Sequence, residues 1–197
     1  CFVWGGTAQL SPADDILIRI EKALDIDSSG QLIASVLSKK VAAGSNHVII
    51  DMPVGETAKL SSIDDASRLK IEMEKVAHAV GLKMKVEITD GSQPVGRGIG
   101  PSLEARDVLM VLRNDENAPK DLKERALLLA GELLELSEKV EFGLGNGVAR
   151  DILESGKAYT KFMAICNAQG GFTEPTISKY HYEIKSKSNG VMAKVDN

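Results

Sequence analysis

The chain has 197 residues, 43% of them hydrophobic and 26% charged, the balance of a water-facing globular protein with room for one large domain and parts of others. A net charge of −4 and only 4% aromatic residues argue against a nucleic-acid surface, which needs basic patches and stacking rings. No apolar run approaches the ~20 residues that span a bilayer, and two cysteines, Cys1 and Cys166, make no disulfide framework, so a reducing cytoplasm is the expected setting.

Residues 1–4 (CFVW) read as an apolar strand turned by Gly5 and Gly6. Pro12 suits a first helical turn, yet residues 11–23 (SPADDILIRIEKA) fit a short helix or a strand. A helix is expected over 28–43, ended by Gly44 in a left-handed cap. HVIIDMPV (47–54) is a continuous apolar run of the kind buried on both faces of a parallel sheet. Ser62 with Asp65 resembles a capping box, and the helix it opens carries Leu69, Met73, Val76, Ala77 and Val80 before Gly81. KMKVEIT (83–89) alternates Val86 and Ile88 with charges, as a strand does. Residues 28–89 therefore predict helix–strand–helix–strand, and the fold class is α/β: a mixed, mainly parallel sheet flanked by helices.

Beyond residue 90 the chain reads as a helical segment, with helices near 102–113, 119–139, 148–155 and 157–168. Two Gly-rich breaks interrupt it, GSQPVGRGIGP (91–101) and GLGNG (143–147). Gly170 and Gly171 end the helices, and 179–195 looks β-forming through Tyr180, Tyr182 and Ile184. The expected organisation is a central α/β domain with a helical segment over 1–171 and the start of a C-terminal β-containing domain over 172–197. Because both ends fall inside strand-like patterns, an internal piece of a longer enzyme is expected.

Asp27, Gln31, Ser35 and Lys39 recur every fourth residue, so a helix stacks them on one face. A carboxylate, an amide, a hydroxyl and an ammonium in one column suit a grip on a small polar molecule. The same residues also suit an ordinary helix cap at Asp27 or Ser28 with a solvated lysine. After the strand at 47–54, Asp51 reaches the carboxyl end and a loop follows with Thr57 and Lys59. Ligands collect beyond such ends, which places Lys59 for an anionic group if it is not simply an exposed loop lysine. GRGIG (96–100) opens a helix where backbone N–H groups could hold an anion. It matches neither nucleotide-loop pattern, so close backbone passage is the expected use, with Arg97 keeping the other open. GLGNG is expected to be an interhelical turn. His47, His78 and His181 lie far apart without metal-ligand spacing, no G-x-S-x-G occurs, and Met73 and Met84 read as packing.

Taken together, WGGTAQLSPADD (4–15), LIASVLSKKVAAG (32–44), IIDMPVG (49–55), DGSQPVGRGIGPSLEARDVL (90–109) and VARDILESGKAYTKFMAICNAQGG (148–171) resemble the thymidine phosphorylase family. Within it the likeness is greatest to the branch of archaeal AMP phosphorylases and their bacterial relatives. The resemblance implies that Ser35 and Lys39 are the serine and lysine of the S-x-x-[SA]-K-K helix that holds the nucleobase. Arg19 resembles the arginine that contacts the base, with spacing shifted by a residue or two. Asp27 matches an aspartate proposed as proton donor in the AMP phosphorylase branch. Lys59 matches a nucleotide-binding lysine of that branch, absent from typical thymidine phosphorylases.

The implied activity is that of a pentosyltransferase: thymidine and phosphate give thymine and 2-deoxyribose 1-phosphate, with Asp27 and Lys39 catalytic and Arg19, Ser35 and Lys59 binding substrate. The alternatives are phosphorolysis of a nucleoside monophosphate to base and ribose 1,5-bisphosphate, or nucleotide binding without catalysis. Inorganic phosphate is the co-substrate, no metal or organic cofactor is implied, neither a nucleic-acid polymer nor a membrane is an expected partner, and the full-length protein is expected to be a homodimer. The family's K-x-S-x-G-G phosphate loop and its T-G-G-T motif do not occur here, so this chain is expected to carry the base side of the site and to be inactive alone.

Overall fold

The computed structural model describes residues 11–24, 28–191 and Val195, apart from the side chains of Asp15 and Lys22. The strand expected at 1–4, and Asp27, lie outside the described residues. The undecided stretch after Ser11 is a helix, α1 (Pro12–Leu24), with proline in its first turn. Helix α2 (Ser29–Ala42) starts where Ser28 Oγ accepts the Gln31 N–H at 3.2 Å. It stops in a Schellman turn: Gly44 at φ +71° lets the Gly44 N–H reach Val41 O and the Ser45 N–H reach Lys40 O.

Strand β1 (His47–Val54) pairs in parallel with β2 (Lys83–Asp90), from His47 opposite Lys83 to Val54 opposite Asp90. The crossover is helix α3 (Ile63–Ala79), capped by Ser62 on the Asp65 N–H. Strand side chains alternate between faces, and that alternation divides the sheet. Val48, Met52 and Val86 point into a core closed by Ile33 and Leu37 of α2 and by Ala66, Leu69, Met73 and Ala77 of α3. The opposite face is polar. Lys85 pairs there with Glu132, Lys83 with Glu138 at 2.6 Å, and Asp51 with Arg125 at 3.1 Å. The expectation that 47–54 is buried on both faces is corrected: Asp51 and Pro53, on the second face, are exposed, and charged pairs rather than an apolar core lie over it.

The helical segment comprises α4 (Pro101–Leu112), α5 (Lys120–Leu136), α6 (Gly145–Glu154) and α7 (Lys157–Ala168). A second core forms from Val111, Ala118, Leu127, Ala149 and Leu153. Helices α5 and α6 meet at paired glycines: a Cβ on Gly131 would lie 2.6 Å from Asn146 N, and one on Gly145 2.2 Å from Gly131 O. Glu135 Oε1 also accepts the Gly145 N–H at 2.8 Å and so caps α6. After Gly170 and Gly171 the expected β structure does not form among the described residues 172–191. Tyr180, Tyr182 and Ile184 alternate as a strand requires but stand 91%, 89% and 87% exposed, without a neighbouring strand to pair with. This tail is tied back by Ser102 Oγ donating to Thr176 O at 2.8 Å and by a two-pronged Arg113–Glu174 ion pair. No helix among the described residues is long and apolar enough to cross a membrane.

Candidate functional site

The i, i+4 spacing on α2 does place Ser35 and Lys39 side by side, and their common partner comes from α1. Asp14, 4% exposed, accepts through one oxygen, Oδ2, from Ser35 Oγ at 2.9 Å and from Lys39 Nζ at 2.7 Å. Two donors on one buried oxygen, one of them charged, offset the cost of desolvating the carboxylate. The Lys39 side chain stays 35% exposed, and its ammonium is held by Asp14. Asp14 also sits in the first turn of α1, where the helix dipole favours a negative group.

Lys59 stands elsewhere. The loop after β1 folds back on itself, Gly55 N–H to Leu60 O at 3.0 Å, and lies so close to the turn after β2 that a Cβ on Gly55 would be 2.5 Å from Gly91 C. It delivers Lys59 to a hollow of about 520 Å³ shared with Ser29, Leu32, Asp65, Arg68 and Glu72. Ser29 and Lys39 are ten residues apart on α2, about 15 Å of helix rise, so Lys59 and Lys39 serve opposite ends of that helix. Arg19 is exposed on α1, five residues past Asp14 and about 140° around the helix from it. Ser35 and Lys39 are therefore brought together, whereas Arg19 and Lys59 are not brought to them and Asp27 is outside the described residues.

No protein-family model matches the chain. The chain is 57% identical over all 197 residues to a Hahella chejuensis protein named "Putative thymidine phosphorylase", of which it covers 39%. It is 55% identical over 197 residues to a Legionella pneumophila protein of the same name, covering 38% of it. A Cupriavidus necator protein with that name and the number 1 is 55% identical over 195 residues, 99% of this chain and 38% of that one. The chain is a homologue of these proteins. It spans about two fifths of the length of the curated relatives it matches.

Elsewhere in this homologue, several groups singled out as candidates hold the fold. The N–H groups of the loop 96–100 already have anionic partners: Arg97 and Gly98 donate to Asp107 Oδ2 at 2.6 and 2.7 Å, Gly96 to Asp121 at 2.9 Å, and Gly100 to Glu104 at 3.1 Å. The loop binds the chain's own carboxylates, which is a structural use of the kind expected. A Cβ on Gly98 would lie 2.4 Å from Leu103 C, which is the close backbone passage itself. Asp51 accepts from Thr89 Oγ1 at 2.5 Å and pairs with Arg125, whose other arm donates to Asp90 O at 2.7 Å. The interhelical turn expected over 143–147 is shorter than that: of these residues only Gly143, at φ +86°, and Leu144 precede α6, and Gly145, Asn146 and Gly147 form its first turn. Among the described residues no three His, Cys, Asp or Glu side chains gather as metal ligands.

Two residues escaped the sequence reading. Asp14 is separated by 21 residues from Ser35, and nothing local announces the pairing. Asp107 left a signal: it falls on the apolar stripe of α4 four residues after Leu103, where an acid is out of place unless it is hydrogen-bonded.

Proposed function

We propose that the full-length protein containing this chain is a pentosyltransferase that splits a pyrimidine nucleoside with phosphate, thymidine giving thymine and 2-deoxyribose 1-phosphate. The observation that carries the reading is 57% identity, without loss of coverage along this chain, to a protein named for that activity. The Lys39 ammonium beside Ser35 supports it chemically. As the glycosidic bond breaks, negative charge gathers on the departing base, and a fixed cation stabilises charge that develops only in the transition state. Lys39 takes that role, Ser35 orients the base, and Asp27 delivers the proton the leaving base requires, whereas Arg19, exposed on α1 and away from this pair, is given no part in it. Phosphate attacks the anomeric carbon from residues outside this chain, and no other cofactor is needed. A cytoplasmic homodimer is part of this reading.

One observation favours a second reading. Lys59 lines a hollow in which Arg68 is already paired with Asp65 at 2.8 Å and Glu72 stands nearby, so Lys59 is the cation suited to a 5′-phosphate, as a nucleoside monophosphate phosphorylase requires. Base release from thymidine, uridine and a panel of monophosphates, each with and without inorganic phosphate, separates the readings. Phosphate-dependent release from thymidine or uridine supports the first. Release confined to monophosphates and reduced at least tenfold in Lys59→Ala supports the second. Binding without release from any substrate leaves a nucleotide-binding domain and defeats both.

A further inference from the structure

We infer that Asp14 is a positioning residue that fixes the place of the Lys39 ammonium and the hydrogen-bond polarity of Ser35, an inference that rests on reading Lys39 as a base contact. Asp14 Oδ2 is the one acceptor to which both Ser35 Oγ, at 2.9 Å, and Lys39 Nζ, at 2.7 Å, are tied. A hydroxyl carries a single hydrogen. Ser35 gives it to Asp14, so the Ser35 oxygen meets a ligand as an acceptor only. An ammonium carries three N–H donors. Lys39 uses one on Asp14, which leaves two for other partners, and its side chain is 35% exposed. The pair therefore offers a neutral acceptor one helical turn from a charged donor, complementary to a heterocycle edge that sets an N–H beside a carbonyl oxygen.

Asp14 lies on a helix rather than a loop and is 4% exposed, and an unpaired carboxylate there would be costly, so the three groups stabilise one another. With the carboxylate neutralised, the serine hydroxyl is free to rotate and the four-carbon lysine stem to swing. The cluster would persist in outline, but the charge would no longer stand at one point, and small displacements of a charge-stabilising group are costly in rate.

The test uses the full-length protein and Asp14→Asn, which keeps size and an acceptor and removes the charge. The expected result is a loss of at least tenfold in kcat/KM for base release, with KM for phosphate and thermal midpoint little changed. Combining Asp14→Asn with Lys39→Ala should cost clearly less than the product of the two single losses, because one route of action is already removed. A variant within threefold of wild type, or losses that multiply in the double variant, would overturn the inference. A second readout needs neither activity nor the variant: amine labelling followed by mass spectrometry. In the wild-type protein Lys39 should label at least threefold more slowly than the adjacent Lys40, and equal rates would overturn the inference. If wild type releases no base from any substrate, the functional reading has failed, and the labelling ratio alone decides the role of Asp14.

Discussion

Asp14 and Asp107 are both buried acids, and they show two ways a carboxylate earns its place inside this chain. Asp14 is 4% exposed and gathers side chains, while Asp107 is 9% exposed and gathers the backbone N–H groups of Arg97 and Gly98. Replacing Asp107 with alanine leaves two part-buried donors without that partner and should destabilise the fold by about 1.5 kcal/mol. Urea unfolding measures this; a loss below about 0.5 kcal/mol, the usual scale of a surface substitution, would show that the loop does not depend on Asp107. At this scale the sequence is legible where partners share an element. Ser35 and Lys39 could be paired by counting residues on one helix. Their anchor could not, because Asp14 lies on a segment whose SPADDILIRIEKA pattern suits helix and strand alike, and a helix-to-helix pairing has no period to betray it.

At the scale of elements, patterns with an internal period were legible and those needing a neighbour were not. The alternation in KMKVEITD predicts β2, and its charged half is explained once α5 supplies Glu132, and the turn after it Glu138, on that face. The same alternation at Tyr180, Tyr182 and Ile184 yields no strand among the described residues, because a strand is defined by what it pairs with. That tail depends instead on Arg113, whose hydrogen bonds hold the Glu174 carboxyl below its ordinary value near 4.5. A carboxylate lowered in the folded state contributes stability above its ordinary value, and that contribution fades as pH falls through the lowered one. Protection of the amides at 172–178, relative to their intrinsic exchange at each pH, should therefore fall as pH drops below 4.5, and Arg113→Ala should lower it at neutral pH; protection unchanged in both cases would sever the tail from this ion pair. The α5–α6 contact makes a sharper test of packing. Gly131→Ala places a methyl 2.6 Å from Asn146 N and should cost about 2 kcal/mol in thermal or urea unfolding, whereas a neutral result would mean the helices are free to part.

Across the whole molecule, two cores are joined largely through α5. One lies between the sheet and helices α2 and α3, the other among the later helices, and the Lys85–Glu132, Lys83–Glu138 and Asp51–Arg125 pairs bridge them. Screening shortens the reach of such charges from about 10 Å at 0.1 M salt to about 3 Å at 1 M. High salt should therefore speed amide exchange in α5 before it affects β1 or α3, and uniform protection across all three would show that apolar contacts alone couple the cores. The α/β architecture was legible because α3 and β2 carry a clear period and β1 a continuous apolar run, whereas the Asp14, Ser35 and Lys39 cluster needed the fold to bring its two helices together.

The most direct measurement is steady-state base release by the full-length protein and its Lys39→Ala variant, with thymidine or uridine and phosphate. A wild-type protein that releases base and a variant with kcat/KM lower by about 10²-fold or more would match the loss of a charge-stabilising donor. A variant within threefold of wild type would contradict the account, because Lys39 would then stand outside the chemistry.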